Sequence, residues 1–382
     1  MTMGRKTEGK YDMVSVMNVY LCHNTSLCFI REWSCRQAVS LRAFHDSSMP
    51  LNELLPHGAF SSTSILRSAM TREGQIRQLL RESDDAILKA IEGSCAAQTP
   101  FASGHRKGGS GQGCSKARLH VLVDRPGVSD TQHIAFHRSS LDYPRGSFLQ
   151  VAPHVRICSP ELTFVQMASV LPYGSLLALG YELCGCYPIS DEPNIRLVRR
   201  PLTTPQRLLA YCERLHQAPG AKLARIAARE VRARSASPKE TELAALALAP
   251  VRQGGFGLPD AKLNEPIALS AAAAKVARGF TIVCDLYWPK AAFGIEYDGR
   301  ASHGGSGGQT RDSRRRDALA LDGIDLLTVT SDQLSNVTEC EVLLDHARVR
   351  VGKTPRRRKQ GFIEKHMVLR HDIRNFHQNP WG

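Results

Sequence analysis

The chain has 382 residues, room for two or three domains, and with 42% hydrophobic and 23% charged residues it is not disordered throughout. Fifty Lys and Arg against 36 Asp and Glu give a net charge of +14, which favours a polyanion, nucleic acid first, as partner. Eleven scattered cysteines exclude a secreted disulfide framework, and no apolar run nears the ~18 residues of a membrane span, so the expectation is a reduced, cytoplasmic chain with no membrane partner.

Residues 1–116 are the least legible part. Helical spacing is visible over 65–80 and 85–91, with Arg67, Arg72, Arg77 and Arg81 along it, either a DNA-binding unit or a solvated face. A stretch rich in Gly, Ser and Gln over 93–116 is a linker. From Arg118 the pattern changes to short strands at 119–123, 133–137 and 148–151. His120 lies on one strand and His133 and His137 on the next, without the spacing of a helical metal motif, and ordinary strand histidines are the better reading. Ser159-Pro160-Glu161 is an N-cap followed by Pro at the first helical position, and it opens a helix to Ala168. Further helices are expected at 174–183, from Pro205 to about His216, and over 221–233, the last rich in arginine. Residues 117–235 thus read as an α+β module.

Ser237-Pro238-Lys239-Glu240 carries the spacing of a capping box and starts a helix that ends before Pro250. After a glycine-rich crossing and a short strand near 267–269, two β-branched and aromatic runs follow, Thr281–Trp288 and Phe293–Gly299, split by Pro289. That spacing predicts an antiparallel hairpin in which Asp285 lies opposite Glu296, with Asp298 on the same face. Like charges opposed on a sheet are destabilising, and a divalent cation would account for the arrangement. His303 follows in a glycine-rich loop, then a helix bearing Arg311, Asp312, Arg314, Arg315 and Arg316, a strand at 324–330 and a helix over 331–347.

In the order Asp285, Glu296-Tyr297-Asp298-Gly299, His303, Asp312 to Arg315, Leu319 and Gly323, residues 235–348 resemble the PD-(D/E)XK nuclease superfamily, within it the bacterial domains similar to very-short-patch repair endonucleases. The resemblance implies a mixed sheet flanked by helices, in a multi-domain α/β chain. It implies a metal-dependent endonuclease acting on DNA, with RNA open as an alternative. Asp285 and Glu296 would hold Mg²⁺ or Mn²⁺, and His303 would assist the hydrolytic water. Glu240 matches the acidic residue of the first helix, beside its reading as a cap. Asp298 stands where the superfamily usually has lysine, and is either a second-metal ligand or a structural acid. Arg315 is placed to meet a phosphate oxygen, while Arg311 and Arg314 serve as phosphate contacts or plain surface charges. More weakly, residues 117–190 resemble the C-terminal part of AbiEi-type antitoxin and regulator proteins.

Regular patterning then stops near residue 350, and 351–382 read as a basic tail whose Arg356, Arg357 and Arg358 would clamp a nucleic-acid backbone. The four expected regions are 1–116, 117–235, 236–350 and 351–382. The rival reading is a non-catalytic DNA-binding regulator on a degenerate nuclease scaffold.

Overall fold

The computed structural model describes residues 19–21, 26–27, 30–31, 39–40, 70, 72–81, 119–124, 126–152, 154–188, 197–299, 306–354 and 361–378. The chain is a mixed α/β protein. Its first half carries β1 (Val19–Leu21), β2 (Val39–Ser40), α1 (Glu73–Arg81), β3 (Leu119–Val123), β4 (Ile134–Arg138), β5 (Phe148–Ala152) and β6 (Val155–Cys158). Five of these strands form one sheet in the order β4-β3-β1-β6-β5. After it come α2 (Pro160–Met167), α3 (Tyr173–Cys184), β7 (Leu197–Val198), α4 (Pro205–Arg214) and α5 (Ala221–Ala228). The Ser159 hydroxyl caps α2 by accepting from Leu162 N–H, as its place before Pro160 predicts. The helix read over 85–91 lies outside the described residues.

The second half opens with α6 (Pro238–Leu248), capped by Ser237, whose hydroxyl accepts from Glu240 N–H at 3.1 Å. Every residue from Thr241 to Leu248 is buried, so α6 is a central helix with no solvent face. Then follow β8 (Lys262–Ala268), α7 (Ala271–Ala277), β9 (Thr281–Trp288), β10 (Phe293–Asp298), α8 (Ser306–Leu321) and β11 (Asp325–Thr330). These strands make a four-stranded sheet in the order β11-β10-β9-β8. The outer pair β10 and β11 is parallel and the other pairings are antiparallel. A parallel neighbour needs a crossover, and α8 supplies it, anchored by Ala318 and Leu319 against Ile282, Cys284 and Ile324. The β9–β10 connection is a 3₁₀ turn at Pro289–Ala291 with Ala292 left-handed at φ 44°, and its register pairs Phe293 with Trp288. The helix expected over 331–347 is two helices, α9 (Ser331–Ser335) and α10 (Val337–Arg350), because Asn336 leaves helical geometry to cap the second.

Two expectations are corrected at the C-terminus. Regular structure does not stop near 350: α11 (Phe362–Gln378) follows, with Phe362, His366, Leu369, Ile373 and Phe376 buried. This helix packs along α3 and α6. At Gly174 a Cβ would stand 2.5 Å from the Asp372 side chain, so only glycine admits α11 at that distance. The second correction concerns Arg370 and Arg374, which fall within the stretch read as a basic tail. Arg370 is buried and donates to the carbonyls of Leu334 and Ser335, and Arg374 donates to Glu242 at 2.6 Å. Their charge is spent inside the protein. Arg356, Arg357 and Arg358 lie outside the described residues. One buried apolar cluster runs from Ile134 and Leu176 through Leu246 and Trp288 to Phe376, so the two sheets and α11 share a core.

Candidate active site

The carboxylates read from the hairpin come together around a break in the sheet. Regular pairing of β9 with β10 ends at Leu286 with Ile295, and pairing with β8 skips from Leu286 with Leu263 to Cys284 with Glu265. Asp285 therefore sits in neither ladder. Its carboxylate instead accepts the backbone N–H of Tyr297 at 2.7 Å, which holds it beside the neighbouring Glu296. Opposite the gap in β8, Asn264 takes a left-handed φ of 48°, a conformation asparagine tolerates better than most residues.

Burial pushes the Asp285 carboxyl up to about 8, with Glu240 and then Glu296 adding to the rise against the Tyr297 N–H and Arg315. Glu240 exerts this effect through space, because both of its oxygens are engaged. Oε2 accepts from Ala236 N–H at 2.9 Å and from the Asn264 amide at 2.7 Å, and Oε1 accepts from the Ser237 hydroxyl at 3.1 Å. The Ser237 cap forms as read, but Glu240 reaches Ala236 N–H and the Ser237 hydroxyl rather than the Ser237 N–H of a full capping box. The same Asn264 amide donates to the Arg234 carbonyl at 2.9 Å, and Arg234 donates back to the Asn264 carbonyl at 3.1 Å.

Across the sheet, Arg315 on α8 pairs with the carboxylate of Glu296 and donates through the same nitrogen to the Val283 carbonyl. Beside this pair opens a pocket of about 250 Å³ lined by Glu296, Tyr297, Asp298, Gly299, Asp312, Arg315, Arg316, Leu326 and Thr328. Asp298 faces this pocket, two residues on from Glu296. Arg314 is partly buried on α8, and Arg311 lies on the same helix with its side chain outside the described residues. His303 also lies outside them. Asn264, Arg316 and Thr328 are site residues that sequence reasoning gave no role, whereas Asp312 was part of the motif that carries the resemblance. Arg316 was legible only as a helix charge, and Asn264 carried no local signal beyond its residue type.

No group of three His, Cys, Asp or Glu able to hold a metal ion occurs among the described residues. Two adjacent carboxylates do fit Mg²⁺ or Mn²⁺, since hard cations of this size keep several waters and take one or two protein carboxylates. The buried, twice-opposed Asp285 carboxyl is a donor that a cation would relieve. Elsewhere, His120 Nδ1 and His137 Nε2 share a hydrogen bond of 2.8 Å, with burial holding the His137 pKa down. Cys184 and Cys186 are buried thiols whose pKa values burial raises. No helix among the described residues is long and apolar enough to cross a membrane. No family model, no curated protein and no solved structure matches the chain.

Proposed function

We propose that this chain is a metal-dependent endonuclease of the PD-(D/E)XK type that hydrolyses phosphodiester bonds in DNA, with residues 117–235 as a regulatory or DNA-binding module. The observation that carries the reading is the placement of Asp285 and Glu296 side by side on β9 and β10, within a helix, three antiparallel strands, a crossover helix and a parallel strand. In this reading Asp285 and Glu296 hold Mg²⁺ or Mn²⁺. A cation bound there would act as a Lewis acid on the scissile phosphate and lower the pKa of a bound water.

The chain's own residues do the rest. The Tyr297 N–H fixes the Asp285 carboxylate, and Glu240, tied down by Asn264 and Ala236, keeps the local field negative. Arg315 and Arg316 line the adjoining pocket, where a phosphodiester oxygen would meet a guanidinium. His303 would accept a proton from the attacking water, the role a neutral imidazole suits. Asp298, in the pocket wall, would orient that water or a second cation. The basic run Arg356–Arg358 supplies sequence-independent backbone contacts, and the protein works in the cytoplasm.

Two observations favour a second reading, a DNA-binding regulator on a nuclease scaffold. Glu296 already has a cationic partner in Arg315, and Asp298 occupies the position of the superfamily lysine. Incubating supercoiled plasmid, single-stranded DNA and RNA with the protein and Mn²⁺ separates the two readings. The nuclease reading expects DNA nicking that chelation stops and that Asp285→Ala and Glu296→Ala reduce to background. DNA binding with no cleavage above the Asp285→Ala background favours the regulator, and cleavage confined to RNA reassigns the substrate.

A further inference from the structure

We propose that Arg315 is an exchangeable cation of this site. It neutralises Glu296 in the metal-free protein, and turns into the adjoining pocket to take a phosphodiester oxygen when Glu296 engages a divalent cation. The proposal rests on the nuclease reading and adds to it a defined competition between Arg315 and the metal.

The first support is the way the guanidinium is used. Nη2 alone serves both the Glu296 carboxylate and the Val283 carbonyl, while Nε is buried with no hydrogen-bond partner among the described residues. An arginine placed only to lock a helix to a sheet would present its fork bidentately to the carboxylate. A buried donor left over is the mark of a group whose best partner is not yet in place.

The second support is space. Arg315 lines the pocket of about 250 Å³ together with Asp298, Asp312 and Arg316, and its side chain is 32% exposed. The guanidinium can therefore turn without crossing packed core. The third is charge. Strand β10 contains no lysine or arginine, so the positive charge beside Glu296 arrives from α8. A guanidinium and a divalent cation on one carboxylate repel each other, so occupancy by one weakens the other by the same factor. Arg315 loses Glu296 at the moment a phosphate becomes available to it.

The test measures Mn²⁺ affinity of the full chain by calorimetry, and binding of a short DNA duplex with and without Ca²⁺. Arg315→Gln should bind Mn²⁺ about tenfold more tightly than wild type, a typical coupling between competing ligands. Wild type should bind the duplex more tightly when Ca²⁺ is added, and Arg315→Gln should lose that gain. Arg350→Gln, which removes an arginine paired with Asp325 at 2.7 Å and outside the pocket, should keep both the wild-type Mn²⁺ affinity and the gain. A purely structural arginine predicts the opposite sign, because removing it would disorder Glu296 and weaken Mn²⁺ binding. Equal or weaker Mn²⁺ affinity in Arg315→Gln, with wild-type binding still dependent on Asp285, overturns the exchange and leaves the nuclease reading intact. Absence of Mn²⁺ binding in wild type overturns both. If Arg315→Gln fails to melt cooperatively, Arg315→Met, which keeps the aliphatic stem, is read by the same criteria.

Discussion

The Asp285 carboxyl accepts one backbone N–H, while burial, Glu240 and Glu296 all oppose its charge. Its folded pKa of about 8 lies above the ordinary 3.8, so the folded state binds the proton more tightly than the unfolded state. The sign follows: this group favours folding fully below the ordinary value, and the contribution disappears as pH rises through about 8. In chelator, Asp285→Asn should therefore be more stable than wild type near pH 8, by on the order of a few kcal/mol. The difference should shrink as pH falls toward the ordinary carboxylate range. Melting curves across pH check this, and a difference independent of pH would show that Asp285 is not held against its charge. The adjacency of Asp285 and Glu296 was legible because a hairpin's register follows from its loop length. Asn264 was not legible, because its role depends on Glu240, 24 residues away, and on Arg234, 30 residues away.

At the scale of elements, helix α11 shows how charge can hide a pattern. Its buried residues Phe362, His366, Leu369, Ile373 and Phe376 recur at helical spacing, but the basic residues around them drew the reading toward a solvated tail. Leu369 is 1% exposed at the contact with α3 and α6. Leu369→Ala should destabilise the whole protein by about 2–5 kcal/mol, the range for a large-to-small change in a core. Denaturant unfolding checks it, and a loss well under ~1 kcal/mol would return α11 to the status of a loosely attached tail. Helix α7 was missed for another reason: Ser270 and four alanines mark a capped helix, but its short length gave little periodicity to read. The capped starts of α2, α4 and α6 were read correctly, since each is written within a few residues as Ser or Thr followed by Pro.

For the whole molecule, one apolar cluster continues from the first sheet to α11. The net charge of +14 is the long-range feature that would gather a polyanion. Some of the arginines are paired inside the protein, Arg31 with Glu182 and Arg374 with Glu242, contacts no sequence pattern announces because the partners lie more than a hundred residues apart. The central claim is that Asp285 and Glu296 together hold a divalent cation. The most direct measurement is the melting temperature of the full chain titrated with Mn²⁺, for wild type and for Asp285→Ala. Binding to the folded state alone raises stability by about 2.7 kcal/mol at a hundredfold excess over the dissociation constant. Wild type should show a saturable rise in melting temperature and Asp285→Ala should show none; equal shifts in the two proteins, or no shift in either, would contradict the account.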